Sequence, residues 1–97
     1  MKKDEVFRDV MEVVASVTGL SERDIVLSRT EEATDARYLV VKYLWRMMPC
    51  VCIGELIGRT RQGVRSIMQR GKGDTWMMAR NWEEVVKEME RKGYVVR

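Results

Sequence analysis

Residues 53–73 read IGELIGRTRQGVRSIMQRGKG, and this stretch decides how the rest of the chain is interpreted. Apolar residues recur in it at helical spacings, and no acid follows Glu55. The apolar positions are Ile53, Leu56, Ile57, Val64 and Ile67, and the cations are Arg59, Arg61, Arg65, Arg70 and Lys72. A helical core pattern without negative charge indicates a segment that packs on one side and faces a polyanion on the other.

The same stretch has the residues that two short helices need in order to cross at a steep angle. Gly54 supplies a small residue at the crossing point, and Gly58 supplies the positive φ of a tight turn. Val64, Ile67 and Met68 supply a core-facing side for the second helix. We therefore predict a helix-turn-helix over about residues 50–70, although Arg59 stands where the turn is often apolar. A glycine-terminated helix pair in an ordinary helical bundle, with the charge run as a solvated face, fits the same residues.

In a helix-turn-helix, the N-terminal residues of the second helix lie in the major groove of DNA. This places Arg59, Thr60, Arg61, Gln62 and Arg65 at the DNA, with Gly63 as a position where no side chain holds the surfaces apart. Arginine suits guanine, and glutamine suits adenine, so Arg61, Gln62 and Thr60 are the candidate base readers. Cations placed along the phosphates set the position of the protein and supply most of the affinity. The candidates for that role include Arg65, Arg70 and Lys72.

The remaining sequence is helical in its periodicity almost throughout. We predict an all-α fold of about six helices in one domain, residues 1–97, arranged around a buried central helix. The first helix ends at Gly19, a short helix SERDIVL follows from the Ser21 cap, and a central helix covers about 31–48 after a cap at Thr30 or Ser28. Short helices cover about 50–57 and 60–69, and a last helix, capped by Asp74, covers about 75–92. The central helix is apolar around most of its circumference, which predicts burial on several sides.

Composition limits the possible functions. The chain has 97 residues, enough for one core, and 45% of them are hydrophobic. Residues 29–73 hold nine cations and four acids, whereas residues 1–28 and 74–97 have no cationic excess. A basic middle segment in an otherwise balanced chain is typical of a protein that binds a polyanion. The start of the chain lacks the apolar region of a secretory signal, and no apolar run is long enough to span a membrane, which predicts a cytoplasmic protein.

Catalytic and metal chemistry find little support. Histidine is absent, and the two cysteines, Cys50 and Cys52, are too few for a zinc site. We interpret both as small core residues and predict no catalytic residue, metal or cofactor. The three tryptophans, Trp45, Trp76 and Trp82, lie among apolar neighbours, so we also predict them in the core.

A longer stretch resembles a known family. The segments VVASVTGLSERDIVLSR, Ala36-Arg37 with Tyr43-Leu44, Ile53-Gly54, Gly58-Arg59 and Val64 follow the order and spacing of the C-terminal DNA-binding domain of the bacterial replication initiator DnaA. That domain belongs to a wider group whose fold is similar to the Trp repressor. The resemblance covers about residues 6–70. It implies duplex DNA binding, with Arg37 as a DNA contact; an ion pair with Glu31, Asp35 or another helix is the alternative for that arginine.

The chain departs from the family at the recognition helix. The family reads close to G-G-R-D-H-[TS]-T-V, and residues 57–64 read IGRTRQGV, which lacks the aspartate, the histidine and the paired hydroxyl residues. We therefore expect a stand-alone regulator rather than an initiator. A single small module seldom supplies enough specificity, so we expect a homodimer or a protein partner, with no membrane and no small-molecule substrate. The alternative is an adaptor that binds protein or RNA and has lost the DNA specificity of the initiator.

Overall fold

The computed structural model describes residues 2–70 and 75–94, and those residues form an all-α fold. In chain order the helices are α1 (Lys3–Thr18), α2 (Glu22–Leu27), α3 (Glu31–Leu44), α4 (Cys50–Ile57), α5 (Arg61–Arg70) and α6 (Trp76–Arg91). No strand is present in the described ranges. None of the helices described there is long and apolar enough to cross a membrane.

The central position predicted for the third helix is confirmed. Nine of the 14 residues of α3 are buried, and α1, α2, α5 and α6 all pack against it. Val40, Val41 and Leu44 are at most 1% exposed, as are Val10 and Val14 of α1. Burying such side chains stabilises the fold by about 1.5–3 kcal/mol each. α3 contributes more buried apolar side chains than any other described helix.

The ends of the first three helices follow the residues that were expected to set them. Gly19 adopts the left-handed conformation at φ 79° and ends α1. Ser21 accepts a hydrogen bond from the backbone N–H of Asp24 at 3.1 Å and caps α2. Thr30, rather than Ser28, caps α3 by accepting from the N–H of Ala33 at 3.2 Å.

Three predictions about local structure were wrong. α3 ends at Leu44 rather than near residue 48, because the N–H groups of Arg46 and Met47 donate to carbonyls three residues back, which tightens residues 45–47 into turns. The N-cap of α6 is Thr75, whose side chain accepts from the N–H of Met78 at 3.2 Å; Asp74 lies outside the described residues. Trp45 and Trp76 are 40% and 69% exposed, because Trp45 falls in the turn after α3 and Trp76 opens α6.

The other apolar predictions fit the packing. Trp82 is half-buried and packs against the core, as do Cys50 and Cys52. The Lys3 ammonium donates to the Cys52 sulfur at 3.0 Å, and this hydrogen bond raises the pKa of Lys3. Both cysteines are free.

Candidate nucleic-acid interface

Helices α4 and α5 follow each other directly and are joined by residues 58–60. Gly58 takes up φ 72°, in the left-handed region that ends a helix at little cost for glycine. The backbone N–H of Arg59 donates to the carbonyl of Gly54 at 2.8 Å. A Cβ built on Gly54 would overlap the carbonyl oxygen of Arg59, so the close approach of the turn to α4 requires glycine at that position.

The start of α5 is fixed by Thr60. Its hydroxyl accepts from the N–H of Gly63 at 3.0 Å, and its carbonyl accepts from the N–H of Val64 at 3.0 Å. This is the arrangement of an N-cap, and it satisfies backbone donors that would otherwise lack partners. The Thr60 hydroxyl therefore already acts as an acceptor within the chain.

One face of α5 holds the helix to the core and the other faces solvent. Val64 is fully buried, Ile67 and Met68 are half-buried, and α5 packs against α3 and α4. Within residues 59–70, the exposed residues are Arg59, Thr60, Arg61, Gln62, Arg65, Ser66, Gln69 and Arg70. A Cβ on Gly63 would meet only ordinary contacts, at 3.4 and 3.5 Å from Thr60 and Arg59, so packing within the chain does not require glycine there.

The cations of this surface are not neutralised within the part of the chain that the structure describes. The salt bridges there join Arg91 to Glu88 and Lys92 to Asp9 and Glu12, all on α1, on α6 or directly after α6. None of them involves a residue of the 58–70 segment. The surface is therefore positive and open to an external anion.

Arg37, which was predicted as a DNA contact, is buried in the structure. Its side chain is only 8% exposed, and burial, with the nearby charge of Arg59, lowers its pKa. Its Nε donates to the carbonyl of Ile25 at 2.9 Å, and its Nη2 donates to the carbonyl of Ser28 at 2.5 Å. The predicted alternative, an ion pair with Glu31 or Asp35, is not seen among residues 2–70 and 75–94; Arg37 instead binds the backbone at the end of α2.

Arg59 has a similar contact. Its Nη2 donates to the carbonyl of Val26 at 2.9 Å, although the side chain as a whole is exposed. The last carbonyls of a helix have no partner within the helix, and α2 has no basic residue in its own last turn. Two arginines from elsewhere in the chain thus bind the C-terminal end of α2, where the helix dipole favours positive charge.

A cavity of about 550 Å³ lies beside this contact. It is bordered by the end of α2, the start of α3 and one side of α5. We call it the arginine pocket, because its lining includes Arg29, Arg37, Arg59 and Arg70. The sequence had suggested no role for Arg29 or Ser66. Ser66 lies one helical turn before Arg70, so the sequence did place these two side chains on the same face of α5.

The predicted contact residues therefore separate into three groups. Those that are exposed and lie outside the lining of the arginine pocket are Thr60, Arg61, Gln62 and Arg65, whereas Arg59, Gly63 and Arg70 lie on it. Arg37 lies on it as a buried residue. Lys72 lies outside the described residues.

Comparison of the chain with protein-family models, with curated proteins and with solved structures found no match. A functional interpretation accordingly depends on the residues and geometry of the chain itself.

Proposed function

We propose that the chain binds double-stranded DNA, with α4, residues 58–60 and α5 acting as a helix-turn-helix. In this proposal it is a stand-alone regulator related to the DNA-binding domain of the replication initiator. The observation that carries the proposal is α5 itself. Its apolar side is anchored through the fully buried Val64, while its exposed side presents Arg61, Gln62 and Arg65 with no acid from residue 56 to 70.

The proposed roles follow from side-chain chemistry. Arg61 and Gln62, at the start of α5, are the base readers, because arginine and glutamine make paired hydrogen bonds to guanine and adenine. Thr60 still has its hydroxyl proton to donate while it caps the helix. Arg65 and Arg70 contact phosphates, and Gly63 lets the helix approach the groove.

The buried position of Arg37 changes the expected salt dependence. Without Arg37, about four phosphate contacts remain, from Arg59, Arg65, Arg70 and Lys72. About four contacts give a slope near −3.6 in log affinity against log salt, or about a 150-fold loss from about 50 to 200 mM. With Arg37 included, about five contacts would give a slope near −4.5 and a loss of about 500-fold over the same range.

The test starts with selection of a preferred duplex from a random library, followed by fluorescence anisotropy against scrambled DNA across a salt series. We expect a preference of at least about 10³ for the selected duplex. Arg61→Ala combined with Gln62→Ala should remove that preference and leave the salt-dependent binding to any duplex. Lys87→Ala, which removes one exposed charge from α6, is the matched control and should leave the preference unchanged.

The competing function is an adaptor for protein or RNA. Weak, equal binding to every duplex, with only a salt slope, would reject sequence-specific recognition. Retention of the preference in the double variant would reject the assignment of bases to Arg61 and Gln62.

A further inference from the structure

The arginine pocket has an unusual charge balance for a cavity in a small domain. Its lining contains four arginines and one carboxylate, that of Asp35. Burial, with the negative charges of Glu31 and Glu32, raises the pKa of that carboxylate. Hydroxyl groups of Ser28, Thr34, Tyr38 and Ser66 complete the polar lining. Those of Ser28 and Thr34 donate within the chain, to the hydroxyl and the carbonyl of Thr30. The cavity therefore combines a large excess of positive charge with the hydroxyl group of Ser66.

The guanidinium groups in the pocket are not neutralised by a salt bridge within the described residues. In the ranges 2–70 and 75–94, none of the four arginines forms a salt bridge, although Asp35 lies on the same lining. Arg37 and Arg59 are close enough for the charge of one to act on the other. Like charges brought together in a partly desolvated site repel, and a bound anion relieves that repulsion.

Two of these arginines are also fixed in position before any ligand arrives. Arg37 donates two hydrogen bonds to carbonyls at the end of α2, and Arg59 donates one. A guanidinium has five N–H donors, so each keeps donors beyond those bonds. Side chains that are already ordered lose less conformational entropy when they bind a ligand.

We propose that the arginine pocket binds the phosphate group of a small phosphorylated ligand. Arginine binds phosphate through paired, charge-assisted hydrogen bonds. The cavity of about 550 Å³ is within the usual range of roughly 300–1,000 Å³ for small-ligand sites. This site shares Arg59 and Arg70 with the proposed DNA surface and goes beyond it by adding Arg29 and Arg37, whereas Arg61, Gln62 and Arg65 are not part of its lining.

The same chemistry could be supplied by a backbone phosphate of DNA, so the test begins without DNA. Sodium pyrophosphate is titrated into the full chain at constant ionic strength, and amide and arginine side-chain NMR signals are recorded. We expect saturable shifts at the Nε–H of Arg37 and at the amides of Gly63, Ser66 and Ile67. Failure of these signals to saturate would overturn the proposal.

A pair of variants on one helix separates a specific pocket from general charge. Arg70→Gln removes a lining arginine and should weaken pyrophosphate binding about tenfold, as expected for the loss of a charge-assisted hydrogen bond. Arg65→Gln makes the same charge change on α5 outside the lining and should change the affinity less than twofold. Equal losses of affinity in both variants would mean that pyrophosphate binding depends on net charge alone, and this result would overturn the proposed binding pocket.

A second arm identifies the source of the phosphate. The selected duplex is added to the chain saturated with pyrophosphate. Simultaneous binding supports a separate small ligand and would remove Arg59 and Arg70 from the DNA contacts. Mutual exclusion would assign the pocket to a DNA backbone phosphate and overturn the small-ligand proposal. If the chain binds no duplex, the proposed DNA function fails, but the pyrophosphate titration and the Arg70→Gln comparison still decide the pocket.

Discussion

Replacing Gly54 by alanine should destabilise the fold, whereas the same change at Gly63 should not. Both glycines lie within helices, at the fifth residue of α4 and the third residue of α5. A Cβ on Gly54 would overlap the carbonyl oxygen of Arg59 and lie 3.4 Å from its carbonyl carbon. A Cβ on Gly63 would come no closer than 3.4 Å to Thr60, which is ordinary contact. The two substitutions thus share their chemistry and differ in what the added methyl group meets.

The magnitude follows from two opposing contributions. Alanine is favoured over glycine inside a helix by about 1 kcal/mol, and this applies to both positions. Overpacking costs about 1–3 kcal/mol, and the upper end applies at Gly54 because a backbone carbonyl cannot rotate aside. Gly54→Ala should therefore lower the free energy of unfolding by about 2 kcal/mol, equivalent to a Tm lower by about 8–16 °C for a chain of this size. Gly63→Ala should raise the Tm by at most about 4–8 °C.

The assay is thermal and urea unfolding of both variants beside the unmodified chain, followed by circular dichroism. A Gly54→Ala variant as stable as the unmodified chain would refute the close approach of the turn to α4. The Gly63→Ala variant also tests the DNA proposal. If this variant is folded and more stable but binds duplex DNA more weakly, the loss of affinity arises at the DNA interface and not from unfolding. Unchanged duplex affinity in that variant would show that the groove does not need glycine at this position.

Two further predictions concern contacts that hold helix ends in place. Arg37→Met should lower the free energy of unfolding by about 3 kcal/mol, because the carbonyls of Ile25 and Ser28 lose their hydrogen-bond donors. The measurement is urea unfolding, and a decrease in the free energy of unfolding below about 0.5 kcal/mol would contradict this role. The hydroxyl of Tyr94 donates to the Asp9 carboxylate at 2.7 Å, which, with burial, raises the pKa of Tyr94 from 10.0 to about 12. Since the folded pKa is higher, this contribution to stability is complete below pH 10 and is lost as the pH rises to about 12. When the free energy of unfolding is measured against pH, its decline in that window should be smaller in Tyr94→Phe than in the unmodified chain. An identical decline in both proteins would show that the hydrogen bond between Tyr94 and Asp9 is not formed.

The order of helices and the identity of the central one could be predicted from the sequence. A helix that is apolar on most sides must be buried, which identified α3, and glycine with positive φ marked the ends of α1 and α4. These predictions succeed because they depend on residues close together in the chain. The length of α3 was overestimated because the apolar residues after Leu44 continue the pattern of a helix face, whereas residues 45–47 form turns.

The candidate site was less accessible to sequence reasoning. In the sequence, an arginine that faces a DNA phosphate looks the same as one that donates to a carbonyl of its own chain, and Arg37 donates to two such carbonyls. Its acceptors are backbone groups, which carry no residue-specific signal. The pocket was missed for a related reason, because Arg29, Arg59 and Arg70 come from three separate segments that only the packing of α5 brings together.

Arg59 illustrates how a departure from a sequence pattern acquires a physical reason. The turn of a helix-turn-helix often has an apolar residue at this position, and a charged one counts against the motif. Here the guanidinium donates to Val26 at the end of α2, whose final carbonyls cannot be satisfied by the helix itself. Arg37 binds the same helix end from α3. The turn before α5 is therefore fastened to α2 by a polar contact, and the placement of α5 does not depend on an apolar residue at the turn.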